Sequence, residues 1–326
     1  MLARTFSPIA LAVVVLIGCG RKPQPAKEEP VRFPIERTET RLARGRYLVE
    51  SVAACFDCHS EIDWQARGSQ PKPGMKGSGG RFGLEGLPVE LYCPNISPDP
   101  ETGAGTWKDE DFFRALTQGI GHDGRTLFPV MPYENFRRLP DEDLMSIIVY
   151  VRSIPAVHYA VRKTVYPEPI KQALKPFPPR PPIAAADLSD RAKRGAYLAT
   201  VAGCADCHTP ENAAGEPLPG MDFAGGYLLK GPWGEVASAN LTPDPSGISY
   251  YNEAMFLEAL RTGNQGARKL NSIMPWGYYR HMADEDLKAI FAYLRTLKPV
   301  QHRTDNTEAF GPCKKCGNRH GLGAMN

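Results

Sequence analysis

One pentapeptide occurs twice in this 326-residue chain, as Cys55-Phe56-Asp57-Cys58-His59 and as Cys204-Ala205-Asp206-Cys207-His208. Each copy reads C-x-x-C-H, the attachment signature of a c-type haem. On one turn of helix, side chains three residues apart share a face. The two thiols of each copy can therefore form thioethers with the two vinyl groups of one porphyrin. The histidine that follows is carried under the iron as its proximal ligand. A redox-active or zinc-binding C-x-x-C that happens to precede a histidine is the competing reading of either copy alone. Two copies at the same place in a repeated unit argue against it. Cys55, Cys58, Cys204 and Cys207 are expected to hold two covalently bound haem c groups, with His59 and His208 as iron ligands.

The repeat extends well beyond the pentapeptide. RLARGRYLVESVAACFDCHS begins at Arg41 and RAKRGAYLATVAGCADCHTP at Arg191; Gly45 matches Gly195, Tyr47 matches Tyr197, and the first unit has one extra residue before its first cysteine. Gly-rich stretches from Gly68 to Gly86 and from Gly215 to Gly234 read as loops that wrap the haem edge. Asn95-Ile96-Ser97-Pro98-Asp99-Pro100 and Asn240-Leu241-Thr242-Pro243-Asp244-Pro245 read as turns. A helix follows each turn, Lys108 to Gln118 and Asn252 to Thr262, with Gly119 and Gly263 at the C-cap positions. Phe112, Leu116, Phe256 and Leu260 are spaced to face a core. Closing helices are announced by Asp141-Glu142-Asp143 and Asp284-Glu285-Asp286, acidic residues that suit a helix N-terminus. Their apolar stripes are Leu144, Ile147, Ile148 and Val151, then Leu287, Ile290, Phe291 and Leu294. The chain is thus expected to be mainly α.

Between the two helices of each unit lies a Met-Pro-aromatic step, Met131-Pro132-Tyr133 and Met274-Pro275-Trp276. A haem iron with a proximal histidine has a sixth position, and its occupant decides between electron transfer and chemistry. Met131 and Met274, each in a proline-stiffened loop, are the candidates. Core packing is the commoner fate of a lone methionine, but the matched placement favours ligation; Met75, Met221, Met255 and Met282 lack such a match and read as packing. His122, His158, His281, His302 and His320 read as surface or linker histidines. Cys93 is the rival ligand that matters, because a thiolate on iron changes its potential; it aligns with Ser238. Arg81, Arg125 and Arg268 lie in loops that could meet haem propionates, although solvated surface arginine is the ordinary reading of each.

A formal charge of +3 gives no argument for a nucleic-acid partner. The first residues supply an address. Arg4 precedes an apolar stretch from Ile9 to Ile17 that has signal-peptide rather than transmembrane length. The ending Leu16-Ile17-Gly18-Cys19 resembles the bacterial lipobox, after which Cys19 becomes the lipidated first residue and a membrane anchor. The expected organisation is a lipoprotein signal peptide over 1–18, a disordered tether over 19–40 and a first domain over 41–157. A proline-rich linker over 158–186, a second domain over 187–303 and a cysteine-containing tail over 304–326 complete it. The linker is expected to be an extended, semi-rigid spacer.

The stretch NISPDPETGAGTWKDEDFFRALTQGIGHDGRTLFPVMPYENFRRLPDEDLMSIIVYVRSIP resembles the cytochrome c subunits of bacterial membrane-bound alcohol and gluconate dehydrogenases. The second unit repeats the pattern more loosely, from ANLTPDPSGI through IMPWGYYRHMADEDLKAIFAYLRTL. The resemblance implies two tandem class I cytochrome c domains, with His59 and Met131 on one iron and His208 and Met274 on the other. It implies electron transfer from a dehydrogenase or quinol-side donor to a terminal oxidase or another cytochrome, in the periplasm; the lipobox with its Cys19 anchor and the cysteine-containing tail are additions to the family pattern. Those subunits usually carry three haems; two attachment sites occur here. The favoured reading is an electron carrier, because nothing in the sequence supplies a duplicated distal catalytic group. The alternative is a haem enzyme of peroxidase or thiosulfate-oxidising type, with one open or thiolate-ligated haem. Three cysteines remain, Cys93, Cys313 and Cys316. A disulfide involving Cys313 or Cys316 is the favoured expectation in an oxidising compartment. The competing one is a zinc-like set of Cys313, Cys316 and His320 with no evident fourth ligand.

Overall fold

The computed structural model describes residues 31–185 and 187–326; Cys19, the signal peptide and most of the tether lie outside them. The chain is mainly helical and each half repeats one plan. Helix α1 (Glu39–Tyr47) is capped by Thr38, whose hydroxyl accepts the Arg41 backbone N–H at 3.2 Å. It continues as a π-helical stretch, Leu48–Val52, into α2 (Cys55–Cys58). The short ladder of β1 (Gly80–Arg81) and β2 (Tyr92–Cys93) follows, then α3 (Asp109–Gln118), α4 (Tyr133–Phe136) and α5 (Asp141–Val151). After α6 (Glu168–Ala173), the second half runs through α7 (Arg191–Val201) and α8 (Cys204–His208). The hairpin β3 (Leu228–Gly231) and β4 (Gly234–Ala237) leads to α9 (Glu253–Thr262). Next are β5 (Asn264–Gln265), β6 (Arg268–Lys269), α10 (Trp276–Tyr279) and α11 (Asp284–Leu294). The tail forms the antiparallel pair β7 (Phe310–Pro312) and β8 (Arg319–Gly321). Among the described residues, no helix is long and apolar enough to cross a membrane.

Each unit is closed by its first helix crossing its last, α1 on α5 and α7 on α11. The matched glycines sit at the crossings. A Cβ on Gly45 would overlap the Ser146 carbonyl, and one on Gly195 the Ala289 carbonyl. Backbone therefore lies on backbone, which only glycine allows. The apolar stripes of α5 and α11 are buried around these points, with Leu144 and Leu287 at 0% exposure.

The extra residue of the first unit has a structural answer. It falls where the helix is π-wound, whereas α7 shows no such stretch. A one-residue insertion in a helix is absorbed as a wider turn.

The two units dock by a reciprocal exchange. Tyr47 of α1 bonds Asp286 of α11, and Tyr197 of α7 bonds Asp143 of α5. Each aspartate also pairs with an arginine of its own unit, Arg44 with Asp143 at 2.7 Å and Arg194 with Asp286. Trp64, just before the first Gly-rich stretch, packs on Trp233 of the second at 4.8 Å between ring centroids.

Two expectations are corrected. The second Gly-rich stretch holds a four-residue hairpin, β3–β4, turned by Pro232-Trp233, because Leu228, Leu229, Val236 and Ala237 give both strands apolar residues to pack. The segment between the units is not wholly extended, since Pro169 suits the first turn of α6. Among the described residues, its hydrogen bonds and its buried ion pair run to the first unit. The Phe177 N–H donates to Gln118 at 2.9 Å, and Arg180 pairs with Asp141 at 2.6 Å with both side chains largely buried.

Replacing Gly195 with Val forces α7 away from α11. We expect a loss of about 1–3 kcal/mol of unfolding free energy, measured as a shift in denaturant midpoint against the unaltered holoprotein.

Candidate functional site

Both pentapeptides line one connected cavity of about 2510 Å³, and Met131 and Met274 line it too. Its walls are largely apolar, with Leu116, Ile148 and Val151 in one half and Leu260, Ile290 and Leu294 in the other. The volume is several times the roughly 300–1,000 Å³ of an ordinary ligand pocket. It suits groups of porphyrin size.

The chemistry of the lining fits haem c. Burial pushes the thiols of Cys55, Cys204 and Cys207 up to about 12, and Cys58 rises as well beside Cys93. The thiols are thus held neutral in an apolar space where a porphyrin vinyl edge can sit. Burial also lowers both His59 and His208, favouring neutral imidazole, the form that ligates iron. The His59 Nδ1 lies 2.9 Å from the Pro94 carbonyl, and the His208 Nδ1 lies 2.7 Å from that of Ala239. Each contact suits an Nδ1–H donor, which orients the ring and leaves Nε2 for a metal.

Those carbonyls explain the asparagine turns. The Asn95 side chain accepts the Ser97 N–H at 2.9 Å and donates to the Val157 carbonyl at 2.8 Å. Asn240 does the same with Thr242 and Val300, at 2.9 and 2.8 Å. Each asparagine ties the strand behind the histidine to the chain leaving the closing helix.

The Met-Pro-aromatic loops are anchored by their aromatic residue. Gly119 and Gly263 end α3 and α9 at φ of 70° and 67°. A Cβ at Gly119 would stand 2.8 Å from the Tyr133 ring, and one at Gly263 would press into that of Trp276. Each ring lies flat on a helix end, so the methionine two residues earlier is fixed by packing that the motif alone does not reveal.

The two sites adjoin. Tyr279 is buried close enough to Cys204, Cys207, Asp57 and Asp206 to feel all four, and its hydroxyl donates to the Ala202 carbonyl at 2.7 Å. The Asp57 carboxylate adds to the upward shift of Cys207 in the other unit. Asn135, four residues after Met131, donates across the interface to both oxygens of Asp206 at 2.8 and 3.1 Å. Its counterpart Tyr278 faces Asp57, which burial pushes up to about 7. Asn135, Tyr278 and Tyr279 were not among the sequence candidates; the one available signal was the four-residue offset that Asn135 and Tyr278 share from their methionines.

Other candidates divide. Arg125 and Arg268, each six residues before its methionine, line the cavity; Arg81 pairs with Glu90 at 2.9 Å. Cys93 is buried next to Cys58, and its neighbour Pro94 receives the His59 ring. It therefore stands on the histidine side. His122 stacks on Trp107 at 4.1 Å, and His158 and His281 are exposed. His302 and His320 contradict the surface expectation, both being 0% exposed. The expected disulfide is not formed, since Cys313 and Cys316 are free thiols facing histidines.

Helices crossing on glycine around paired C-x-x-C-H turns, in an apolar cavity, define the class I cytochrome c architecture, with covalently bound haem c as its cofactor. The family model described as cytochrome c matches residues 192–298, so the second unit is a cytochrome c domain. The chain is similar to the fructose dehydrogenase cytochrome subunit of Gluconobacter japonicus, 28% identical with 94% of this chain and 62% of the relative covered. It is also similar to the cytochrome c subunit of the alcohol dehydrogenase (quinone) of Gluconobacter oxydans, at 29% with 80% and 56% covered. A diheme cytochrome c-type protein of Cereibacter sphaeroides matches at 26%, with 89% and 97% covered. The chain spans about three fifths of the length of the two dehydrogenase subunits.

Gly263→Ala places a side chain at positive φ against Trp276. We expect a loss of about 1–2 kcal/mol from the backbone conformation alone, read by denaturation of the holoprotein, with spectral change confined to the second haem site.

Proposed function

We propose that this chain is a dihaem electron carrier, with one haem c on Cys55 and Cys58 and one on Cys204 and Cys207. His59 and Met131 would hold the first iron, and His208 and Met274 the second. The observation that carries this reading is the shared cavity, in which each histidine faces the same space as a methionine held by proline and an aromatic anchor. Haem c supplies a reversible one-electron couple when bound, and a thioether opposite imidazole raises its potential.

The residues support transfer rather than substrate chemistry. Pro94 and Ala239 fix the imidazoles, Tyr133 and Trp276 fix the methionine loops, and the apolar walls exclude water. Arg125 and Arg268, which line the cavity, would meet haem propionates. Tyr279 lies near both pentapeptides, and the Asn135–Asp206 bond ties α4 of the first unit to the second pentapeptide, which keeps the two centres close. Cys93, on the histidine side, is poorly placed to serve as a sixth ligand.

The wider setting follows from the relatives and from the first residues. The chain accepts electrons from a dehydrogenase or quinol-side donor and delivers them to a downstream respiratory acceptor. It works in the periplasm as two domains, 41–157 and 187–303, held to a membrane by a lipid on Cys19.

Electron paramagnetic resonance of the oxidised protein and carbon monoxide addition after reduction test the ligands together. We expect two low-spin haems per chain and no gas binding. Met131→Ala and Met274→Ala are each expected to open one haem to carbon monoxide while the other stays closed. A gas-binding or high-spin haem in the unaltered protein would sink the carrier reading. Cys93→Ser is expected to leave both spectra and both midpoint potentials unchanged; a shift at the first haem would restore the thiolate alternative.

A further inference from the structure

We propose that His302, Cys313, Cys316 and His320 form a zinc site that clamps the C-terminal tail onto the second unit. The donor atoms of these four residues lie within 4.8 Å of one another, and all four residues are buried. The Cys313 Sγ is 3.4 Å from the His302 Nε2, and the Cys316 Sγ is 3.4 Å from the His320 Nε2. Zinc bonds of about 2.0–2.1 Å to nitrogen and 2.3 Å to sulfur set tetrahedral donors roughly 3.3–3.8 Å apart. Both sulfur–nitrogen pairs are already at that spacing, and the widest separation among the four donors, within 4.8 Å, needs only a small side-chain closure to reach it.

The surroundings are built as a metal site's are. The His302 Nδ1 meets the Ala224 carbonyl at 2.9 Å and the His320 Nδ1 meets that of Gly321 at 3.1 Å, so both Nε2 atoms turn inward. Cys313 and Cys316 stand on a tight turn at the end of β7. Gly317 (φ 74°) donates its N–H to the Cys313 carbonyl at 2.9 Å, and the Cys313 N–H donates to that of Asn318 at 2.9 Å. His320 comes from β8 on the other side of the same hairpin. A Cβ on Gly226 would press into the His302 ring and touch the Cys316 sulfur, so glycine there leaves the room the cluster occupies.

Donor chemistry selects the metal. Two thiolates and two neutral imidazoles are a common structural zinc set. With Zn²⁺ the unit is electrically neutral, which removes the penalty for burying an isolated charge. Binding displaces two thiol protons to solvent and involves no oxidation. The first unit has no equivalent. Tyr159 there occupies the place of His302, its carbonyl accepting from Asn95 at 3.2 Å as that of His302 accepts from Asn240 at 3.1 Å.

The clamp reaches the haem site. Ala224, which holds His302, is followed by Gly225, whose N–H donates to the carbonyl of His208 at 2.7 Å. Metal loss is therefore expected to disturb the second haem and leave the first unchanged.

The test is elemental analysis of the full-length holoprotein, with mass spectrometry of the peptide holding Cys313 and Cys316. About one zinc per chain is expected. His302→Ala and the double variant Cys313→Ser/Cys316→Ser should lose it, and His302→Cys should keep it. The spectrum of the first haem reports that each variant has folded. A strong chelator should remove the zinc, lower the thermal midpoint and make two further thiols reactive. Three outcomes would overturn the proposal: a peptide lacking two hydrogens through a Cys313–Cys316 disulfide, failure to take up added Zn²⁺, or zinc retained in the double variant.

Discussion

The crossing of first and last helices on a glycine is the contact from which each unit is built. With no side chain at Gly45 or Gly195, α1 and α7 lie against the backbones of α5 and α11. That approach fixes where the next turn of chain emerges, and the next turn carries the two cysteines and the histidine. The cavity then forms between this helix pair and the loops that return over it. Any side chain at the crossing would displace the pentapeptide relative to the rest of the cavity lining, so the positioning of the attachment turn begins with the absence of an atom.

Docking of the two units adds a second level. Tyr47 reaches Asp286 and Tyr197 reaches Asp143, each tyrosine crossing to an aspartate already held by an arginine of its own unit. The four groups are partly or wholly buried and mutually satisfied, which is the condition under which buried polar groups specify an arrangement. The arrangement they specify brings Asp57 near Cys207 and packs Tyr279 against both pentapeptides. Equivalence stops short of identity, because Asn135 bonds Asp206, whereas the hydroxyl of its counterpart Tyr278 and the Asp57 Oδ1 are both buried without a hydrogen-bond partner among the described residues. The two attachment turns therefore lie in different electrostatic surroundings.

Much of this was legible because the chemistry of attachment demands particular residues at fixed spacing. The pentapeptides, the methionine steps, the C-cap glycines and the apolar stripes all announce themselves by local pattern. The tail did not. Cys313, Cys316 and His320 lie within eight residues and are visible as a group, but His302 comes from beyond the closing helix and meets them only through the fold. The Pro94 and Ala239 carbonyls escape for a related reason: a backbone acceptor has no sequence signature. The hairpin β3–β4 was hidden among glycines that pointed to loop, since its strands are short and their partners are supplied by packing.

The π-wound turn before α2 bears on how the two halves diverged. Aligning them demands a one-residue gap inside a helix, a place where gaps are ordinarily resisted because every later side chain would rotate by about 100°. A single widened turn absorbs the surplus before the cysteines are reached, so the heritable change in length left the angular setting of the attachment turn intact. Duplicated halves can thus drift in length even within their most constrained helix, provided the surplus is spent upstream of the residues that must keep their bearing.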